Sequence, residues 1–293
     1  MIYNKQAANY AKLVIYSWDM CNPDLHCLSP TPDPRLSTAG WSVIGYITGG
    51  NSIFVSLDSG LNNLLRASRV KEDQVCYGYV AKNDDEEVVI AIRGTDGILE
   101  WLDDMDFLLK TPSPPINGMV DAGFYDIYQS LRYHKIGSVD VSYPIIEGIA
   151  NISCSSITVL GHSLGAALGT YLIAELVTRI GSKSASACLF ASPKPGDCNF
   201  ADYFSGQVLR YQDYIYINDI VPTLPPIGYS SLHNYTLLTK PVDGITISSS
   251  KVCCHHLISY IALLDPVCYK EFLSSPFLTG NDKACSECVV GIY

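Results

Sequence analysis

The sequence predicts an α/β fold: a mostly parallel central sheet flanked by helices. Two observations carry this. Apolar runs of strand length alternate with helix-length segments, the order that βαβ units impose. Several of those runs, such as "SSITVLGH" and "ASACLFASP", are apolar throughout, as strands covered on both faces must be. With 293 residues, 48% of them hydrophobic, the chain is long enough for one large core. No long polar or Pro/Ser-rich linker interrupts it, so a single domain over residues 1–293 is expected.

The elements follow in order. "SPTPDPRLSTAG" (Ser29–Gly40) reads as a proline-rich surface loop. "DQVCYGYVAKND" and "EEVVIAIRGT" read as successive strands joined by a polar turn at Asn83–Glu86. "VDAGFYDIYQSLRYHKI" has helical character, and "SSITVLGH" is a short buried strand. "LGAALGTYLIAELVTRIG" reads as a helix stopped by Gly181, a C-cap signal. "ASACLFASP" is the next buried strand, and "QVLRYQDYIYIND" alternates as a strand ending at Asp219. "NYTLLTKPVDGITISSS" reads as two strands with a turn at Asp243–Gly244, and "HLISYIALL" as a final helix.

The formal charge of −10 argues against nucleic acid and against electrostatic docking on anionic membranes. Nothing approaches about 18 uninterrupted apolar residues, the length a membrane-spanning helix requires. The start, "MIYNKQAANYAKLVIYSWDMC", has neither the clean apolar core nor the small-residue cleavage site of a signal peptide. This suits a cytoplasmic chain or a mature secreted form without its leader. The sequons "NIS" at Asn151 and "NYT" at Asn234 matter only in a secreted protein. Among 11 cysteines, Cys76, Cys154 and Cys188 lie in or beside apolar runs and read as buried thiols. The C-x-x-C of Cys285 and Cys288, without a second pair, is weak evidence for a zinc site. Mostly free thiols are expected, with room for one or two loop bridges.

The chemistry gathers at Gly161-His162-Ser163-Leu164-Gly165. G-x-S-x-G between an apolar strand and a small-residue helix is a nucleophile elbow, which lifts the serine Oγ above the sheet edge. Glycine is required where a Cβ would strike neighbouring backbone. Serine is a weak nucleophile and needs a base, and the base needs an orienting acid. In α/β-hydrolases these follow in the order Ser, acid, His. That order selects Ser163, then Asp219, then His255 or His256. Asp219 leads because it ends a strand, where open α/β sheets gather their sites. Asp213, mid-strand, and Asp243, in a turn, satisfy the order less well. The side chain of His162 is expected to point away from Oγ. The Leu164 amide, first of the following helix, is one candidate oxyanion donor.

These blocks, in their order, resemble the class 3 lipases, an α/β-hydrolase family. The resemblance runs over residues 76–264 through "VVIAIRGTDGILEWLDDMDF", "VDAGFYDIY", "ITVLGHSLGAALG", "LFASPKPGDCNFADYF", "YINDIVPTLPP", "GYSSLHNYTLL" and "HHLISYIALL". It implies Ser163 as nucleophile, Asp219 as acid and one of the paired histidines as base. His255 is favoured by its spacing to Leu257 and Tyr260, with His256 the second choice. The resemblance also implies Thr95 as the second oxyanion donor beside Leu164. Ile98, Trp101 and Leu102 share one face of an amphipathic segment that resembles the family's short helical lid, with Gly97 as a hinge.

The implied activity is hydrolysis of lipid carboxylic esters, as by a triacylglycerol lipase, with no metal and no cofactor. Partners would be the ester substrate and, transiently through the lid, a lipid interface. Phospholipase A1, monoacylglycerol lipase or feruloyl-type esterase activity fits the same scaffold. So does a non-catalytic binding or signalling module. Two departures from the family stand out: Asp121 where a histidine is usual before Gly-Phe, and Lys194 where arginine is usual.

Overall fold

The computed structural model describes residues 5–50, 74–95, 107–138, 141–182, 184–239 and 244–291. Its centre is a nine-stranded sheet of order β11-β10-β9-β8-β3-β2-β1-β6-β7. The strands that position the site are β3 (Glu87–Ile92), β8 (Ser156–His162), β9 (Ala185–Phe190), β10 (Tyr211–Tyr216) and β11 (Tyr235–Leu238). These five run parallel to one another. On the other side of β3, β2 (Gln74–Lys82), β1 (Ser42–Gly50), β6 (Arg132–Lys135) and β7 (Ser142–Pro144) pair antiparallel. The sheet is therefore mixed. Its parallel half follows from the βα alternation, and its antiparallel half from short connections such as the polar turn between β2 and β3.

Side-chain alternation along the strands divides the interior into two layers. Val88, Ile90 and Ile92 of β3, with Ile157 and Val159 of β8, face one layer. This layer is roofed by Phe124 and Ile127 of the helix Ala122–Ser130, by Leu168 and Leu172 of the long helix Leu164–Ile180, and by Phe200 and Phe204 of the helix Cys198–Gln207. Val89 and Ala91 of β3 and Leu160 of β8 face the other layer. There they meet Ala11 and Val14 of the N-terminal helix Lys5–Cys21, and Ile258 and Ile261 of the helix Leu257–Leu264. Strands covered on both faces account for their continuous apolar runs.

Five expectations need correction. The stretch Ser29–Gly40 includes the helix Pro34–Thr38, with Arg35 and Leu36 buried. Leu257–Leu264 is not the last helix, since Pro266–Leu273 and Gly280–Ser286 follow it. The helix after Asp121 stops at Ser130, and Arg132–Lys135 is a strand. Pairing with β1 overrides local helical character there: Tyr46 lies opposite His134, and the His134 Nε2 sits 2.8 Å from the Thr48 hydroxyl. The two strands expected around Gly244 do not form a hairpin. Tyr235–Leu238 pairs with β10, whereas β12 (Thr246–Ile247) pairs with β13 (Val289–Val290). Cys76 is not a free thiol: it is bonded to Cys21, and Cys253 is bonded to Cys288. Cys154 and Cys188 are free.

Charge also ties the chain's two ends together. The buried Arg35 guanidinium donates to Asp33 Oδ1 at 2.9 Å and to Asp282 Oδ2 at 2.8 Å, and contacts Asp19. Its plane lies 4.3 Å from the Tyr16 ring centroid. Three carboxylates around one cation leave excess negative charge. Burial, then the Asp282 charge, raise the Asp19 carboxyl to about 7 against the pull of Arg35. The folded chain thus keeps a proton that the unfolded chain has already released between about pH 4 and 7. Stability from this site is complete below that window and is lost as pH rises through it. Urea unfolding is expected to show a midpoint that falls from about pH 5 to pH 8, with the slope flattened in Asp19→Asn. An unchanged slope in the variant would refute the assignment.

Candidate active site

The elbow is built by close backbone contact. Ser163 adopts φ 58° and ψ −128°, a positive-φ conformation that side-chain-bearing residues rarely adopt. Crowding is what holds it. A Cβ on Gly161 would lie 2.3 Å from the Gly165 carbonyl oxygen, and one on Gly165 would lie 2.3 Å from the Ile92 oxygen. The Ser163 N–H donates to the Phe190 carbonyl at 3.0 Å, pinning the turn to the end of β9. Leu164 then opens the long helix, whose first N–H groups have no acceptor within the helix.

The loop leaving β3 presses on the same turn. A Cβ on Gly94 would come within 3.1 Å of the Ser163 Cβ and 3.0 Å of the His162 oxygen. Thr95, the next residue, is buried. Arg93 fixes the start of this loop by donating to the carbonyls of Cys76 and Gly94, each at 2.8 Å. Both residues expected to offer oxyanion donors thus belong to segments that touch the elbow. Ile98, Trp101 and Leu102, with Gly97, lie outside the described residues.

Of the two adjacent histidines, His255 faces the serine. Its Nε2 is 2.8 Å from Ser163 Oγ, and its Nδ1 is 2.8 Å from Asp219 Oδ2. Because the carboxylate accepts, Nδ1 carries the proton and Nε2 presents its lone pair to the hydroxyl. His255 ends the short helix Lys251–His255, after which the chain turns through extended backbone at His256. His256 has another task. Its Nδ1 accepts the Ile258 N–H at 3.2 Å and caps the helix Leu257–Leu264. Burial and the neighbouring His255 lower the His256 imidazole to about 4, so it is neutral near pH 7.

Asp219 is buried and fully engaged. Oδ2 accepts from the Tyr260 hydroxyl at 2.7 Å as well as from His255, and Oδ1 accepts the Val221 N–H at 3.0 Å. The Tyr260 hydroxyl in turn accepts the Tyr216 N–H at 3.0 Å, tying the acid's partner to the end of β10. Asp213, the mid-strand alternative, is buried, and its Oδ1 has no hydrogen-bond partner among the described residues. Desolvation by burial raises its carboxyl well above the usual aspartate range. Asp243 lies outside the described residues.

Sequence reasoning gave Tyr260 no chemical part. The only signal in the chain is spacing: Tyr260 stands five positions after His255, one turn into the helix Leu257–Leu264. Of the other histidines, His162 packs its ring against His255, His134 lies against Thr48, His233 lies 3.2 Å from Asp202 at the surface, and His26 is exposed. The two departures have local roles. Asp121 caps the helix Ala122–Ser130 through Phe124 N–H at 2.9 Å and accepts from the Tyr229 hydroxyl at 2.9 Å. The Lys194 backbone N–H donates to the Leu224 carbonyl, and partial burial lowers its ammonium. Among the described residues no cluster of His, Cys, Asp or Glu is suited to hold a metal.

Comparison with known proteins bears on the same region. The family model "Lipase (class 3)" matches residues 89–229, just under half of the chain. A lipase of Rhizomucor miehei is 27% identical over 202 residues, 65% of this chain and 54% of that protein. A phospholipase A1-II 7 of Oryza sativa subsp. indica is 33% identical, over 52% of this chain and 46% of its own. A secreted mono- and diacylglycerol lipase A of Penicillium cyclopium is 29% identical, over 60% of this chain and 55% of its own. The chain therefore spans about half the length of the relatives it matches. Among solved structures, a triacylglycerol lipase described by its serine protease triad aligns with TM-score 0.58 at 21% identity, covering 80% of each chain. The Penicillium cyclopium enzyme aligns at 0.55 and 22%, again covering 80% of each chain. These likenesses give the α/β-hydrolase fold.

Proposed function

With residues 89–229 carrying the class 3 lipase match as the premise, we propose that this protein is a serine hydrolase of lipid carboxylic esters. The observation that carries the reading is the continuous hydrogen-bonded chain Ser163–His255–Asp219, each link 2.8 Å, in the order Ser, Asp, His.

The reaction is acyl transfer in two steps. His255 takes the Ser163 proton as Oγ attacks the ester carbonyl. The oxyanion of the tetrahedral intermediate is held by the amides of Leu164 and Thr95, set where charge develops. The alcohol leaves with the proton from His255, and water cleaves the acyl-enzyme by the same route. Asp219 holds the His255 tautomer and stabilises the imidazolium formed at each attack. This scheme needs no metal or organic cofactor.

Substrate class comes from the relatives. Those named above act, by name, as lipase, phospholipase A1 and mono- and diacylglycerol lipase. Phospholipase A1 is the second reading, favoured by the higher identity of the rice protein, 33% against 27% for the Rhizomucor miehei lipase. A panel of nitrophenyl esters of rising acyl length, run beside triacylglycerol emulsion and phospholipid vesicles, separates the readings. Turnover of long-chain esters and emulsion supports lipase, and preference for phospholipid supports phospholipase A1. Activity confined to short soluble esters would overturn the lipid assignment.

Tyr260 supports the acid by donating to it. Tyr260→Phe removes one charge-assisted hydrogen bond from Asp219 and leaves the Tyr216 N–H without that acceptor. The expected result is a loss of about tenfold in kcat with KM little changed, measured by steady-state hydrolysis. Wild-type kcat in the variant would remove Tyr260 from the mechanism.

A further inference from the structure

His162 is a buried titratable residue that the acyl-transfer scheme leaves idle. Its Nε2 lies 2.8 Å from the backbone carbonyl oxygen of His255. A carbonyl only accepts, so Nε2 carries the proton. Its ring lies against the His255 imidazole, with centroids 4.7 Å apart and planes inclined by 35°. The same residue is the last of β8 and directly precedes the nucleophile. We propose that His162 is a positioning residue, which fixes the backbone and ring of the base His255 relative to Ser163. The proposal rests on the reading of Ser163, His255 and Asp219 as the triad.

The need for such an anchor follows from how His255 is carried. The helix Lys251–His255 has five residues, and the chain leaves it at His256 with φ −67° and ψ 134°. Carbonyls at a helix C-terminus have no donor within the helix. The His255 carbonyl is therefore open to an outside donor, and the donor it meets comes from the residue next to the nucleophile. One hydrogen bond spans 93 positions of sequence and couples the two peptides whose side chains must exchange a proton. Without it, the short helix turns or slides against the elbow, and the 2.8 Å Oγ–Nε2 contact lengthens. Proton transfer is steeply sensitive to such displacement.

The ring contact adds a charge requirement. His255 becomes an imidazolium in each half-reaction, so a cation stacked on it would oppose catalysis. Among the described residues His162 Nδ1 has no hydrogen-bond partner, and the groups that face the ring are His255, His256 and the Tyr260 ring at 6.3 Å. Burial, reinforced by the charges of His255 and His256, pushes the His162 imidazole well below the usual histidine range. The ring that backs the base is thus neutral and polarisable.

Two substitutions separate the donor from the ring. His162→Phe keeps a flat ring against His255 and deletes the N–H. His162→Gln keeps an N–H donor of about the same reach and deletes the ring. We expect His162→Phe to lose about ten- to a hundredfold in kcat, with KM within about twofold, and His162→Gln to recover most of that loss. The low-field proton resonance of His255 Nδ1–H gives a readout independent of turnover. It is expected to broaden or shift in His162→Phe and to persist in His162→Gln. Wild-type kcat and an unshifted resonance in His162→Phe would overturn the proposal, as would equal losses in both variants. Hydrolysis retained in Ser163→Ala would instead overturn the triad reading beneath it.

Discussion

Ser163→Ala is expected to abolish ester hydrolysis, by about 10⁴-fold or more in kcat, and to abolish covalent labelling by a fluorophosphonate probe. The size follows from what the hydroxyl does. In the proposed mechanism Oγ is the atom that becomes acylated, and no other serine or threonine is hydrogen-bonded to His255 among the described residues. Loss of activity without loss of fold is expected because the elbow does not depend on Oγ. The turn is held by the Ser163 N–H to the Phe190 carbonyl and by the crowding at Gly161 and Gly165. Alanine meets the same positive φ as serine, so the unfolding free energy should change by less than about 1 kcal/mol. Labelling distinguishes an enzyme from a lipase-like binding module, since a binding module has no activated serine to trap. Undiminished hydrolysis by pure Ser163→Ala protein would sink the proposed mechanism.

The second large effect is a contrast between neighbours. His255→Ala removes the base and should cost a comparable factor in kcat, since members of a triad act as a unit. His256→Ala should hold kcat within about threefold and cost about 1 kcal/mol of stability through the lost cap on the helix Leu257–Leu264. Chemical unfolding and steady-state kinetics on the two purified variants measure both quantities. The reverse pattern would transfer the base to His256 and contradict the 2.8 Å contact between His255 and Ser163.

Much of this was legible in the chain, and the reason differs by residue. Gly161, Ser163 and Gly165 lie within five positions, so their chemistry is local: a strand must turn into a helix within a few residues, and only glycine avoids backbone collision there. Asp219 was legible because strand ends are marked by the change from alternating residues to "IVPTLPP". The strand Arg132–Lys135 was not, because its partner β1 lies some 90 positions earlier and pairing, not local propensity, decides its conformation. The disulfide Cys21–Cys76 was equally hidden, since spacing says nothing about which thiols meet. Asp121 and Lys194 were visible as departures from a pattern. Only their surroundings show that Asp121 completes a helix cap and a buried bond to Tyr229.

The sequence by itself determined the α/β class, the elbow and the order of the three candidate residues, because periodicity, glycine placement and chain order are properties of short segments. Only the tertiary structure separated His255 from His256. Both stand at the same junction with the same side chain, and one turn of backbone sends the first toward Ser163 and makes the second a cap. The contacts of Tyr260 with Asp219 and of His162 with His255 were decided there too. They join strands and helices far apart in the chain, and such contacts exist only once the sheet has brought its strand ends together.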